Sequence, residues 1–213
     1  MTERPIFFSG PMVRAILDGR KTQTRRIAIP KRSCIDFIGG GPKDDPDWND
    51  PSCWGFEDPN TGFWWTLRGN EECHQLPCPQ GKPGDRLWVR ETWNWEKNAI
   101  GSKRDEDGPF AYAASPTHGS SIDGKWHPSI HMPRFASRIT LEITGVRAER
   151  LQSISDADAE AEGVDFLRHV PNADETLNAR GLFRCLWDGL NATRGHGWDA
   201  NPWVWVVEFR HIG

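Results

Sequence analysis

Ile16-Leu17-Asp18-Gly19-Arg20-Lys21-Thr22-Gln23-Thr24-Arg25-Arg26 is the stretch around which the rest of this chain is organised. Met12 to Leu17 reads as a short apolar helix, with Val13, Ile16 and Leu17 on one face. Gly19 closes it, since glycine takes the left-handed helix-ending conformation without a side-chain clash. Four cations (Arg20, Lys21, Arg25, Arg26) and two hydroxyls (Thr22, Thr24) then follow within seven residues. Arginine and lysine supply donors, and threonine supplies both a donor and an acceptor. Two readings fit: a pocket for an anionic or hydrogen-bond-rich ligand, and a basic turn paired with some of the chain's 30 acidic residues.

Upstream, Ile6-Phe7-Phe8 reads as a strand that enters the helix at Pro11, a residue suited to the first helical position. Downstream, Gly81–Arg86 is a turn into a strand from Leu87 to Trp93. Leu87, Val89 and Glu91 share one face of it, and Trp88, Arg90 and Thr92 the other. Glu91 is then either an inward carboxylate that orients Lys21 or Arg26, or a strand-end glutamate in solvent. Phe110–Ala113 is a further strand. Ile139, Leu141 and Ile143 alternate with Thr140, Glu142 and Thr144, the clearest half-buried strand in the chain, with Gly145 marking a bulge.

Ser155 and Asp158 form a capping box ahead of a short acidic helix that Gly163 ends. Glu162 stands in its last turn, where the helix dipole disfavours a negative charge by about 0.3–1 kcal/mol. It has a cationic partner or a functional use there, or it is simply solvated. Residues 174–192 form the longest helix, with Leu177, Leu182, Phe183, Leu186, Trp187 and Leu190 on its apolar face. Asn201–Phe209 closes the chain as a strand buried on both faces.

The 213 residues suffice for one large domain with a real core. The net charge of −4 argues against a wholly basic nucleic-acid coat but allows a local basic site. No apolar run approaches the roughly 18–20 residues that cross a bilayer, and the N-terminus lacks a signal-peptide layout. A cytoplasmic protein is expected, in the host cytoplasm if the chain is phage-encoded. Its five cysteines follow no disulfide spacing and are expected to be thiols. Cys53, Cys73-His74 and Cys78 invite a zinc reading, but the ligands are not tightly paired. No metal and no cofactor are therefore expected. His118, His127 and His131 lack regular spacing as well. Twelve tryptophans against one tyrosine are unusual, and one or two of them suit base stacking while the rest pack. An insertion at about 33–80, rich in Gly, Pro, Asp and Trp, has Phe63–Leu67 as its strand candidate. It is expected to fold over the basic segment as a lid.

Several of these features together resemble the ASCH domain of the PUA-like superfamily. They are Ile16-Leu17-x-Gly19-x-Lys21-Thr22-x-Thr24-x-Arg26, the Gly84-Asp85 turn, the acidic Ala159–Gly163 helix and the closing strand. Gly81–Thr92, Met132–Arg150 and Trp187–Phe209 look like a group of ASCH proteins carried by bacteriophages and prophages. The resemblance spans nearly the whole chain outside the insertion. It implies an α+β fold: a single PUA-like β-barrel of five to six mostly antiparallel strands, near residues 6, 64, 88, 111, 141 and 205, with helices at its ends.

Within that family the motifs are similar to those of the small bacterial N4-acetylcytidine amidohydrolases. The resemblance implies Lys21, Thr24 and Glu162 as catalytic residues. The donors of Arg20, Thr22 and Arg26, the Glu91 carboxylate and the Trp88 ring are the candidates for holding the substrate around them. Arg25 departs from the pattern, since the relatives carry an apolar residue there, and this chain is roughly twice their length. Threonine needs a base to become a nucleophile, and lysine serves as one when burial or neighbouring cations lower its pKa. In a plain strand Lys21 and Thr24 would point to opposite faces, so the segment must turn for one pocket to hold both. A modified nucleoside or single-stranded RNA is the expected partner. The alternatives are a non-catalytic RNA- or nucleotide-binding module, and a ribonuclease that uses His127 or His131 with Lys21.

Overall fold

The computed structural model describes residues 1–28, 35–36, 57–58, 63–68, 73–96, 108–115, 122, 124–169 and 176–213. Five strands form the main sheet: β1 (Glu3–Phe7), β2 (Gln23–Ile27), β7 (Arg86–Arg90), β10 (Thr140–Arg150) and β11 (Trp203–His211). Their order is β1-β7-β10-β11-β2. β1 runs parallel to β7, and the other three pairings are antiparallel. α1 (Gly10–Leu17), α2 (Asp156–Ala161) and α3 (Ala179–Asn191) make up the α part of this α+β fold. None of the helices among the described residues is long and apolar enough to cross a membrane.

β11 explains the layering. Trp203, Trp205, Val207 and Phe209 face a core made with Ile6, Phe8, Val13, Leu87, Val89, Leu141 and Ile143. Val204 and Val206, on the opposite face, meet Leu151, Ile154, Val164, Leu182, Phe183 and Trp187 under α2 and α3. A strand sandwiched in this way must be apolar at successive positions, which is why its sequence does not alternate. β10 carries the expected irregularity: its register against β11 shifts between Ile143 and Gly145.

The two edges of the main sheet are tied by a side chain. Arg26, on β2, donates from Nη2 to the Phe7 carbonyl at the end of β1 (2.9 Å), and its guanidinium lies 5.5 Å from the Phe8 ring centroid.

Several expectations are corrected. The strands near 64 and 111 lie outside the main sheet. β5 (Phe63–Arg68) pairs with β3 (Ile35–Asp36), β4 (Glu57–Asp58) and β6 (Cys73–Leu76), and β8 (Trp93–Trp95) pairs with β9 (Phe110–Tyr112). The basic segment itself supplies the missing strand, as β2. The insertion, expected to be an irregular lid, contains this small sheet, although most of its residues lie outside the described residues.

α3 begins at Ala179 rather than near 174, because the Asn178 side chain caps it by accepting from Gly181 N (2.9 Å). Leu190, assigned to its apolar face, is 62% exposed.

Candidate functional site

The turn that the basic segment needs is made by backbone hydrogen bonds. Gly19 sits at φ +72, and the amides of Arg20 and Lys21 both donate to the Ala15 carbonyl (2.8 and 2.9 Å). Thr22 N then donates to Ala161 O (2.9 Å), docking the segment on the end of α2, and Phe209 N donates to Thr22 O (2.8 Å). Gly163 completes the joint. Its φ is +77, and a Cβ there would stand 3.0 Å from both the Ala15 Cβ and the Lys21 Cβ. Glycine is required on both counts, conformation and space.

Lys21 and Glu162, 141 positions apart, meet at this joint. Lys21 Nζ donates to Glu162 Oε2, to the Glu162 carbonyl and to the Gln23 carbonyl, each at 2.8 Å. All three ammonium protons therefore have acceptors. The amine also lies 5.4 Å from the Phe8 ring centroid. Burial pushes the Lys21 pKa below its ordinary value, against the pull of Glu162; Arg26 and Arg25 lower it further.

The capping box of α2 is present, with Asp158 N donating to Ser155 Oγ at 3.0 Å. Glu162 is the C-cap of this helix, so its partners are the cations that its position called for.

Strand alternation sorts the rest of the segment. Thr24 and Arg26 stand opposite Val207 and Trp205, on the face of the main core. Thr24 is buried, and its hydroxyl makes no hydrogen bond among the described residues. Burial lowers the Arg26 pKa, with Glu162 acting in the other direction.

Gln23 and Arg25 point to the helix side. The Arg25 side chain is completely covered. It donates to Glu162 Oε1 (3.1 Å) and, through Nε and Nη2, to Glu149 Oε1 (3.0 and 2.6 Å). Gln23 holds Asp158 through its carbonyl (2.6 Å) and carboxylate (3.1 Å). Arg147 closes the network onto Glu149 (3.2 Å), Asp158 (3.3 Å) and Glu208. Burial alone would raise the Asp158 carboxyl, but hydrogen bonds from Ser155 and Gln23 hold it below its ordinary value.

The remaining expected site residues separate from this cluster. Arg20 pairs at the surface with Asp18 (2.7 Å) and Asp165 (3.8 Å), as a basic turn would, and Thr22 is exposed. Glu91 is neither in solvent nor against Lys21. Its two oxygens accept from Arg138 Nε (2.9 Å) and Nη2 (3.0 Å), and burial raises its pKa against the opposing effect of Arg138. Trp88 is buried beneath two guanidinium groups, Arg90 at 4.6 Å and Arg134 at 5.9 Å from its ring centroid. His127 packs on Trp93 and Trp95, and no contact joins His127 or His131 to Lys21 among the described residues. Cys78 and Cys185 are free thiols; Cys34 and Cys53 lie outside the described residues, as does the side chain of Cys73.

Sequence reasoning missed Gln23, Arg147, Glu149 and Asp158 as neighbours of the site, and it passed over the structural role of Arg25. Arg147 and Glu149 are two residues apart and so share a face of β10, but only the register against β11 puts that face on the same side as Arg25.

The arrangement offers a buried amine with a lowered pKa, a carboxylate that fixes it, and a hydroxyl and an arginine on the adjoining face of β2. No protein-family model matches the chain, and no curated protein or solved structure matches it significantly.

Proposed function

We propose that this chain is an ASCH-domain protein whose sheet is the curled wall of a PUA-like barrel. Its Lys21, Thr24 and Glu162 hydrolyse the acyl amide of N4-acetylcytidine or a similarly acylated nucleoside. The observation that supports this reading is the direct contact of Lys21 Nζ with Glu162 Oε2 at 2.8 Å, made by two motifs that the sequence keeps far apart. The Arg26–Phe7 bond between the sheet edges favours the curled arrangement.

In the proposed reaction neutral Lys21 takes the Thr24 proton as the Thr24 oxygen attacks the acetyl carbonyl. The C–N bond breaks, the amine of cytidine leaves with a proton, and water releases acetate from the acyl-threonine. Arg26, which donates only to the Phe7 carbonyl among the described residues, has N–H groups left for polar atoms of the substrate. Trp88 and Glu91 are not assigned to substrate, since arginines already occupy the Trp88 ring and the Glu91 carboxylate.

The test is release of cytidine from N4-acetylcytidine, followed by chromatography, for the wild type and for Lys21→Ala, Thr24→Ala and Glu162→Ala. Turnover by the wild type that is lost in all three variants supports the reading. Absence of turnover at high enzyme concentration removes it.

A second reading, retention of single-stranded RNA without turnover, is favoured by one observation. Arg90 lies between the Phe7 and Trp88 rings (5.3 and 4.6 Å) and has no carboxylate partner among the described residues. Binding of this kind weakens steeply with salt, whereas hydrolysis of a neutral nucleoside does not.

A further inference from the structure

We propose that Arg25 is a positioning residue of this site: it takes one oxygen of Glu162 while Lys21 takes the other, so that Lys21, and not Glu162, is the group that carries the proton. The proposal rests on the hydrolase reading for its role in turnover, and on geometry for everything else.

The carboxylate is spanned from two sides. Oε2 accepts from Lys21 at 2.8 Å and Oε1 from Arg25 at 3.1 Å. Both hydrogen bonds to the carboxylate are charge-assisted and lie in a covered site, where each is stronger than it would be in water. Arg25 cannot itself supply or accept a proton, because a guanidinium does not deprotonate in proteins. Of the three groups, the lysine amine alone can change its charge without leaving an unpaired ion.

The groups facing Lys21 are Glu162 from the end of α2 and Arg25 and Arg26 from β2, with the uncharged Phe8 ring beside β1. Glu149 and Arg147 of β10, Asp158 of α2 and Glu208 of β11 lie behind Arg25. Arg25 therefore acts on Lys21 in two ways. It divides the negative charge of Glu162 between two cations, and its own charge opposes the protonated amine, an effect that adds to burial.

The proton then follows a closed path. It leaves the Thr24 hydroxyl for neutral Lys21 as the O–C bond forms, and it passes from the Lys21 ammonium to the departing amine nitrogen as the C–N bond breaks. Water repeats the exchange: Lys21 takes its proton during attack on the acyl-threonine and returns it to the Thr24 oxygen as acetate leaves. Glu162 remains an acceptor for Lys21 and Arg25 throughout.

The experiment titrates Lys21 directly, by NMR of isotopically labelled lysine, in wild type, Arg25→Leu and Arg25→Lys. It also records the pH profile of kcat/KM on N4-acetylcytidine for the same proteins. Removing the Arg25 charge should raise the Lys21 midpoint by about one pH unit or more, and the rising limb of the profile should move up with it. Arg25→Lys should restore most of both. Circular dichroism establishes folding, and Arg25→Gln replaces the leucine variant if that one fails to fold.

A Lys21 midpoint unchanged in the charge-removed variant overturns the role of Arg25, whatever the activity. A shifted midpoint in a wild type that does not hydrolyse the nucleoside removes the hydrolase reading and leaves the tuning of Lys21 by Arg25 in place.

Discussion

Glu162 and Glu91 are both buried carboxylates held by cations, and the difference between them separates a reactive site from a structural one. Glu91 gives both oxygens to one guanidinium, that of Arg138 (2.9 and 3.0 Å). Arg138 spends its third nitrogen on the Ser115 hydroxyl (2.7 Å) and stacks on Tyr112 at 4.1 Å. A planar fork on a carboxylate is complete in itself, and the guanidinium half of it does not deprotonate in proteins. Glu162 instead divides its oxygens between an arginine and a lysine. The lysine is the member that can be neutralised, and burial presses it in that direction. Two carboxylates with similar cover therefore differ in what their partners can do.

The largest effect that would test the contrast is on turnover. Lys21→Met should lower hydrolysis of N4-acetylcytidine by about 10³-fold, the scale of a lost general base. A variant that keeps its rate would place Lys21 with the structural lysines and dissolve the contrast. Next in size is the stability of the closed pair. Arg138→Met leaves Glu91 buried without its cation and should cost about 2–4 kcal/mol in denaturant unfolding, reduced from a fully buried pair because Arg138 is partly exposed. The double variant Glu91→Leu/Arg138→Met should recover most of that loss. If the single variant unfolds like the wild type, the fork contributes nothing.

Smaller again is the joint that holds Lys21. Gly163→Ala forces a side chain into a φ of +77 against Ala15 and Lys21, with an expected loss of about 1–3 kcal/mol. It should also disturb the Lys21–Glu162 contact and so lower turnover, whereas Gly124, which has open space around its Cβ position, offers a control at a comparable φ of +90. Equal effects of alanine at both positions on turnover would show that the close packing at Gly163 does not position the lysine.

How much of this was legible beforehand follows the range of the interactions. The Gly19 stop, the Ser155–Asp158 capping box, the Gly163 turn and the bulge at Gly145 depend on neighbours in sequence, and each is present. The two-sided burial of β11 was legible too, because an apolar run without alternation leaves a strand no face to give to water. The membership of sheets was not. Phe63–Arg68 and Phe110–Tyr112 read as strands as well as β1 does, and nothing in their composition says which partner they hydrogen-bond. Gln23–Ile27 was obscured by its charges, since cations are unusual on a strand covered on both faces; only Glu149, Asp158 and Glu162, from distant parts of the chain, make Arg25 tolerable there. The placement of Lys21 against Glu162 likewise needed the fold. Alternation put Glu91 on the face of Leu87 and Val89 but left open whether that end of the strand was covered or in solvent, and its partner Arg138 lies 47 residues away with no local rule to select it over Lys21.

The finest distinction comes from Tyr112, which belongs to the closed pair alone. Burial raises its phenol to about 12, with Arg138 lowering and Glu91 raising it, and its hydroxyl donates to the Ala136 carbonyl at 2.9 Å. Between pH 10, the ordinary value, and about 12 the folded protein keeps a proton that the unfolded chain has lost. The unfolded state therefore binds fewer protons in this window, and stability falls as pH rises through it; below pH 10 the contribution is fully present. The chain has a single tyrosine, so phenolate absorbance reports on this residue without ambiguity. The midpoint should stand near 12 in the folded protein and near 10 in denaturant. Glu91→Gln should lower it and Arg138→Met should raise it, because each variant removes one of the opposing charges. Lys21→Met should leave it where it is. A folded midpoint at the denatured value would mean that water reaches the ring and that the Glu91 pair is not closed.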